Sequence, residues 1–178
     1  MAKIVNLHAY RTKVVEKRTF GPWRKRFGES FSQITGLTDL SSQTLYFLAY
    51  PGEKNAVALY EFIMGALDFG TATKFYYLEK RNQMVVMEIH LFLADQIRFE
   101  MMRRLEWIDS FPSMRYTLLE MVKLFERIKA LCNTYKPKLA KSHQDFPSYC
   151  KLTSADQEVF IRRMLPEALD TYKVQMEL

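Results

Sequence analysis

Glycine is scarce in this sequence and absent from most of it. All six glycines lie within the first 70 residues. Tight β-turns need residues that tolerate positive φ, chiefly Gly and Asn, and after Gly70 only Asn82 and Asn133 could fill that role. The sequence therefore argues strongly against an all-β fold. It also excludes a glycine-rich phosphate-binding loop over most of the chain.

Cysteine and long apolar segments are also lacking. Cys132 and Cys150 stand 18 residues apart, with no CxxC and no nearby pair of histidines. This spacing excludes zinc fingers, zinc ribbons and thioredoxin-type redox motifs, and it predicts two reduced thiols. No segment reaches the roughly 18 consecutive apolar residues of a membrane span, and the first residues do not resemble a signal peptide. We expect a cytoplasmic protein.

The sequence also lacks the short motifs that are typical of catalytic sites. The sequence contains no GxSxG, GxGxxG, GxxxxGK[ST] or ExxH, so it predicts no catalytic residue, no cofactor and no metal site. The alternative is an enzyme or a metal- or ligand-binding bundle centred on His90, with the carboxylates of Glu61, Asp68, Glu88 and Asp95. The spacing argues against it, because neither Glu88 nor Asp95 shares a helix face well with His90. We expect a core or half-buried histidine and ion-paired carboxylates.

The composition of the chain and the spacing of its apolar residues predict one helical domain. Of the 178 residues, 48% are hydrophobic and 26% are charged, and a chain of this size buries roughly 70% of its surface on folding. Apolar residues recur at helical spacing along most of the chain. We predict an all-α, single-domain bundle of about five to seven helices in residues 21–178, preceded by an extended basic N-terminal arm in residues 1–20.

Two helices are predicted with particular clarity. The longest spans about residues 82–109 and carries two apolar seams, so it should cross the domain as its central helix. Another covers Glu53 to Asp68, and its pattern places Ala58 and Gly65 on the outward face. A shorter helix is expected to begin at Pro22.

Capping residues predict several helix ends. The candidate N-caps are Asp39 or Ser41, Ser113, and Thr153 or Ser154, each of which precedes an apolar periodic segment. Pro166 should kink or split the last helix. The polar stretch from about residue 133 to 152 is long for a structureless loop, so it either has a function or hides a turn of helix within residues 137–142.

The formal net charge of +6 is unevenly distributed. Residues 1–28 hold eight basic residues and one acidic residue, a net charge of +7, and residues 133–151 carry a net charge of +3. The rest of the chain is therefore acidic. Blocks of one sign attract acidic protein surfaces, acidic lipid headgroups or nucleic acid.

The basic N-terminal block supplies the candidate binding site. We predict a small helical interaction or regulatory protein, adaptor-like, whose basic arm contacts a protein partner with an acidic surface. A nucleic-acid-associated protein that binds phosphate is the alternative, and a homo-oligomer is compatible with the sequence. Six methionines between Met84 and Met121 are expected mainly in the core, with an adaptable docking groove as the alternative. The candidate site residues are Lys17, Arg18, Trp23, Arg24, Lys25 and Arg26.

Overall fold

The computed structural model describes residues 7–178 and confirms a single all-α domain. Over these residues the chain forms nine α-helices and three short 3-10 helices, and its only β-type pairings are two isolated bridges. The α-helices are α1 (Leu7–Phe27), α2 (Ser42–Ala49), α3 (Glu53–Ala66), α4 (Lys80–Arg104), α5 (Leu118–Lys123), α6 (Phe125–Thr134), α7 (Phe146–Tyr149), α8 (Ser154–Arg163) and α9 (Leu165–Gln175). The 3-10 helices are Leu37–Asp39, Ala72–Tyr77 and Pro112–Arg115.

The predicted central helix is confirmed as α4, which packs against α2, α3 and α9. Its 25 residues extend about 37 Å. It ends five residues earlier than predicted, because Glu106 adopts a left-handed conformation with φ of 61° and the Trp107 N–H donates back to the Met102 carbonyl. This is a helix C-terminus closed without glycine.

The extended arm is corrected by α1, which is one continuous helix from Leu7 onwards. Residues 1–6 of the predicted arm lie outside the described residues. Pro22 lies inside α1 rather than at a helix start, and Gly21 precedes it. Both residues weaken a helix locally, so packing against the body maintains α1 through this point.

The packing partner of α1 is α3, and small residues let the two helices approach closely. A Cβ at Gly65 would lie 2.6 Å from the carbonyl oxygen of Arg18, and the Trp23 indole N–H donates to the Ala58 carbonyl at 2.7 Å. The two helices therefore run antiparallel. The predicted outward position of Ala58 and Gly65 is wrong, because both are buried under α1.

The predicted caps have mixed outcomes. Ser41 accepts a hydrogen bond from the Thr44 N–H, and Thr153 accepts one from the Asp156 N–H, as predicted for helix N-caps. Ser113 does not cap a helix. It is buried, and its hydroxyl donates to the Gln96 side-chain oxygen at 2.7 Å. The α5 cap is Thr117, which forms a capping box with Glu120.

In the C-terminal part of the fold, the structure can be compared with the predictions made from Pro166 and from the polar stretch. Pro166 lies in the first turn of α9, and α8 ends at Arg163, so the predicted split is confirmed. In the polar stretch, residues 137–142 form no α-helix, and the single helical turn is α7. Leu139 forms a bridge with Ile108, which ties this stretch to the connection that follows α4. Among the described residues, no helix is long and apolar enough to span a membrane.

Candidate partner-binding surface on the first helix

Trp23 is part of the core rather than of a binding surface. Its side chain is 0% exposed and packs against Phe27, Phe31 and Phe62, with ring centroids 4.7–5.8 Å apart. Burial of an indole with its N–H satisfied is a strong stabilising contact. The binding role predicted for Trp23 is therefore corrected.

Three of the predicted arginines have partners within the chain. Arg18 forms an ion pair with Asp68 at 2.6 Å, and Arg26 donates to both carboxylate oxygens of Glu61 at 3.1 and 3.0 Å. Both pairs join α1 to α3 or to the residues just after it. Their charges are largely compensated locally, so their attraction for an external anion is reduced.

Arg24 is held more tightly than the other two. Its Nε and Nη2 both donate to the Phe31 carbonyl, at 3.0 and 2.5 Å, and Nη2 also donates to the Glu16 carboxylate at 2.9 Å. The bonds to Phe31 hold the connection that follows α1 against the helix. Arg24 therefore serves a structural role, and a partner would have to break three hydrogen bonds to recruit it.

The remaining predicted cations, Lys17 and Lys25, are exposed and form no ion pair within residues 7–178. Arg11 and Lys13, which are not among the predicted site residues, share this property. Four uncompensated cations thus remain on α1. Three of them, Arg11, Lys13 and Lys17, lie in its first half.

The first two turns of α1 also present apolar side chains. Residues 7–11 are all exposed, with Leu7 77% and Tyr10 61% accessible. This exposure has a geometric cause: α1 is antiparallel to α3, and the Arg18–Asp68 ion pair marks the level at which α3 has already ended. The earlier turns of α1 extend past their packing partner. Sequence periodicity could not reveal this, since it depends on where α3 stops.

We name the exposed set the α1 tip. It consists of Leu7, Tyr10, Arg11, Lys13 and Lys17, which combine two apolar anchors with three cations. The cations of such a helix segment complement carboxylates, and its apolar side chains complement apolar area between those carboxylates.

His90 does not form a site with the neighbouring carboxylates. Its ring stacks on Tyr60 with centroids 4.7 Å apart, and burial, with a smaller contribution from Arg98, lowers its pKa. Glu88 pairs instead with Lys129 at 3.3 Å, and Asp95 pairs with Arg162 at 2.6 Å. Within residues 7–178 no group of three or more His, Cys, Asp or Glu side chains converges as a metal site would require.

A groove borders the lysine-containing stretch after α6. Its volume is about 1130 Å³, and its walls include Phe111, Tyr135 and Pro137. Lys136 crosses it to Glu158 at 2.5 Å, and the hydrogen bond from Lys136 is the main cause of a lowered Glu158 pKa. The predicted basic character of this stretch is therefore partly neutralised.

The two thiols differ in accessibility. Cys150 is exposed, whereas Cys132 is buried, and burial raises the pKa of Cys132 to about 11. At neutral pH Cys132 is a protonated thiol and is not a nucleophile.

No protein-family model, curated protein or solved structure matches this chain. The function must therefore be argued from the residues and their geometry.

Proposed function

We propose that this chain is a helical interaction protein whose α1 tip binds an acidic surface on a protein partner. The observation that supports the proposal is the coincidence, on the first three turns of α1, of exposed Leu7 and Tyr10 with three exposed cations that form no ion pair within the described residues. The two free thiols are consistent with a reducing compartment, so we place the protein in the cytoplasm.

Apolar and charged contacts contribute differently to the proposed interaction. Burial of Leu7 and Tyr10 against a partner supplies most of the affinity, at about 1.5–3 kcal/mol for each fully buried side chain. Arg11, Lys13 and Lys17 add roughly 0.2–1 kcal/mol each and set the specificity for an acidic partner. We therefore expect binding that weakens with salt but does not vanish.

The nucleic-acid alternative rests on the concentration of positive charge in residues 1–28. Within the predicted site, Trp23 is buried, and Arg24 is bonded to Phe31 and Glu16. Base stacking on Trp23 is therefore unavailable in this conformation. Phosphate binding by the α1 tip would be purely electrostatic, and the test below distinguishes it.

The test measures binding of the full chain to three anionic probes by fluorescence anisotropy. The probes are poly-glutamate, a glutamate–tyrosine copolymer and a single-stranded oligonucleotide of similar charge. We expect the copolymer to bind most tightly, because it offers both carboxylates and apolar contact area. The variant Leu7→Ser/Tyr10→Ser should reduce copolymer affinity towards that of poly-glutamate.

Charge reversal provides the matched comparison. Arg11→Glu/Lys13→Glu/Lys17→Glu should weaken copolymer binding by roughly ten-fold or more. The control Lys123→Glu/Lys141→Glu/Lys151→Glu makes the same change in net charge at exposed residues elsewhere and should have little effect. Equal losses in both variants would refute the α1 tip as the site. Tighter binding of the oligonucleotide than of the copolymer would favour the nucleic-acid alternative instead.

A further inference from the structure

A second unpartnered surface lies on the central helix. Met84, Met87 and Leu91 are 62%, 48% and 65% exposed, and their spacing places them on one outward stripe of α4. Lys80 and Arg81 lie at the beginning of the stripe, and neither forms an ion pair within residues 7–178. We call these five residues the α4 stripe. Unbranched methionine side chains adapt well to a docked helix.

The charges around the α4 stripe leave its basic end uncompensated. Glu88, which borders the apolar part, is paired with Lys129 at 3.3 Å. Glu79 is the one carboxylate adjacent in sequence to Lys80, and it forms no ion pair in the described part of the chain. The stripe thus begins with two cations against one carboxylate and continues as an apolar surface.

An acidic face with the complementary order occurs on α9. Glu167 and Asp170 are exposed and have no ion-pair partner in the described residues. Val174, 77% exposed, lies on the same face near the end of α9 at Gln175. We call these three residues the α9 face. Lys173 lies at the edge of this face and is the one exposed cation between Glu167 and Val174.

One register aligns the two surfaces. If α9 of one copy lies parallel to α4 of another with Glu167 opposite Lys80, then Val174 falls opposite Met87, because both residues lie seven positions further along their helices. Asp170 then lies within a turn of Arg81. The antiparallel orientation would instead bring the carboxylates against the apolar part of the stripe.

We propose that this protein self-associates by docking the α9 face of one copy on the α4 stripe of a second copy. The contact joins two different surfaces, so two such contacts related by a twofold axis give a closed dimer, whereas single repeated contacts give an open assembly. Opposite charges select the register, and the buried methionine, leucine and valine side chains supply the affinity.

A double charge swap tests the proposal in the full chain. Sedimentation velocity from micromolar to submillimolar concentration should show wild-type mass increasing with concentration. Lys80→Glu/Arg81→Glu and Glu167→Lys/Asp170→Lys should each weaken self-association by roughly ten-fold, and combining all four substitutions should restore it. Reversal of the exposed Lys123 and Lys141 is the matched control, and circular dichroism verifies that each variant is folded.

A disulfide experiment tests the register itself. In a Cys150→Ser background, chains carrying Met87→Cys should form disulfide-linked dimers with chains carrying Val174→Cys, but not with chains carrying Val159→Cys on the exposed surface of α8. Under mild oxidation the first pair should cross-link and the second should not.

Three results would overturn the proposal. The first is a wild-type chain that stays monomeric throughout the concentration range. The second is self-association that is insensitive to both single reversals, or that the combined swap does not restore. The third is loss of self-association on reversal of Arg11, Lys13 and Lys17, which would make α1 the site of contact between copies. Binding by the α1 tip is measured with external anionic probes, whereas self-association is measured on the protein alone. Either proposal can therefore fail while the other stands.

Discussion

Substitution of Gly65 by alanine tests the central correction to the predicted fold, the docking of α1 on α3. A Cβ at this position would lie 2.6 Å from the Arg18 carbonyl oxygen, 2.9 Å from the Arg18 carbonyl carbon and 2.8 Å from the Thr19 Cα. All three are backbone atoms of α1, so no side-chain rotation can relieve the overlap. The helix as a whole must move.

The expected cost follows from that movement. Restoring an ordinary contact distance of about 3.4 Å requires a displacement of roughly 0.8 Å along the closest direction. Overpacking of this kind costs about 1–3 kcal/mol, while replacing glycine by alanine within a helix favours folding by roughly 0.5–1 kcal/mol. We therefore expect Gly65→Ala to lower the free energy of unfolding by about 1–2 kcal/mol, and Tm by roughly 2–8 °C.

Gly21→Ala is the matched control. Gly21 lies within α1, and apart from its two chain neighbours a Cβ there would meet no atom within 4 Å. The helix-propensity gain of roughly 0.5–1 kcal/mol is offset by crowding of the new Cβ against the ring of Pro22, the next residue, so this variant should stay within about 1 kcal/mol of wild type. Gly65→Ala is therefore expected to be the less stable of the two variants.

Urea unfolding monitored by far-ultraviolet circular dichroism and tryptophan fluorescence measures both variants. Trp23 lies in the α1–α3 contact, so its emission should report a displaced α1 in folded Gly65→Ala. If α1 were an arm detached from the body, Gly65→Ala would meet no obstruction and would stabilise the protein through helix propensity. A Gly65→Ala variant as stable as Gly21→Ala would therefore refute the docked arrangement.

Three further predictions concern buried groups. The Glu100 carboxylate is fully buried and accepts hydrogen bonds from Arg103 and Arg104, so Glu100→Gln should lower the free energy of unfolding in urea by about 2–3 kcal/mol; an unchanged midpoint would contradict this role. Ellman's reagent should label Cys150 rapidly in the native protein and Cys132 only on unfolding, and two fast thiols would contradict the structure. Burial lowers the pKa of folded His90 below its value in the unfolded chain, so the unfolded state takes up a proton first as the pH falls. The free energy of unfolding should therefore decrease as the pH drops through about 6.5. In urea titrations, His90→Gln should lose less of its free energy of unfolding over the same pH range.

The parts of the fold that could be predicted are those set by local signals. The α4 helix carries apolar residues on two sides along its whole length, and no alternative structure satisfies that pattern. Ser41 and Thr153 are caps whose hydroxyls act within three residues, and Pro166 acts on its own turn. Each of these effects is complete within a few residues, so the sequence shows it directly.

The conformation of α1 could not be predicted in the same way. Locally, Gly21 and Pro22 favour a helix boundary, and the structure overrides them because α1 packs along the small residues Ala58 and Gly65 of a distant helix. Those two residues appeared outward-facing because α3 has apolar side chains around much of its circumference. Only the position of α1 determines which small residues are covered.

The candidate site shows how a charge count changes once the partners are known. The basic block had a net charge of +7, but Arg18, Arg24 and Arg26 bind carboxylates or carbonyls of the same chain, and these contacts help hold α1 in place. The charge available to a partner is therefore shifted towards the start of α1. Because Leu7 and Tyr10 are exposed on the same turns, the helix can offer apolar area together with that charge. This combination separates docking on an acidic protein surface from nonspecific attraction to any polyanion.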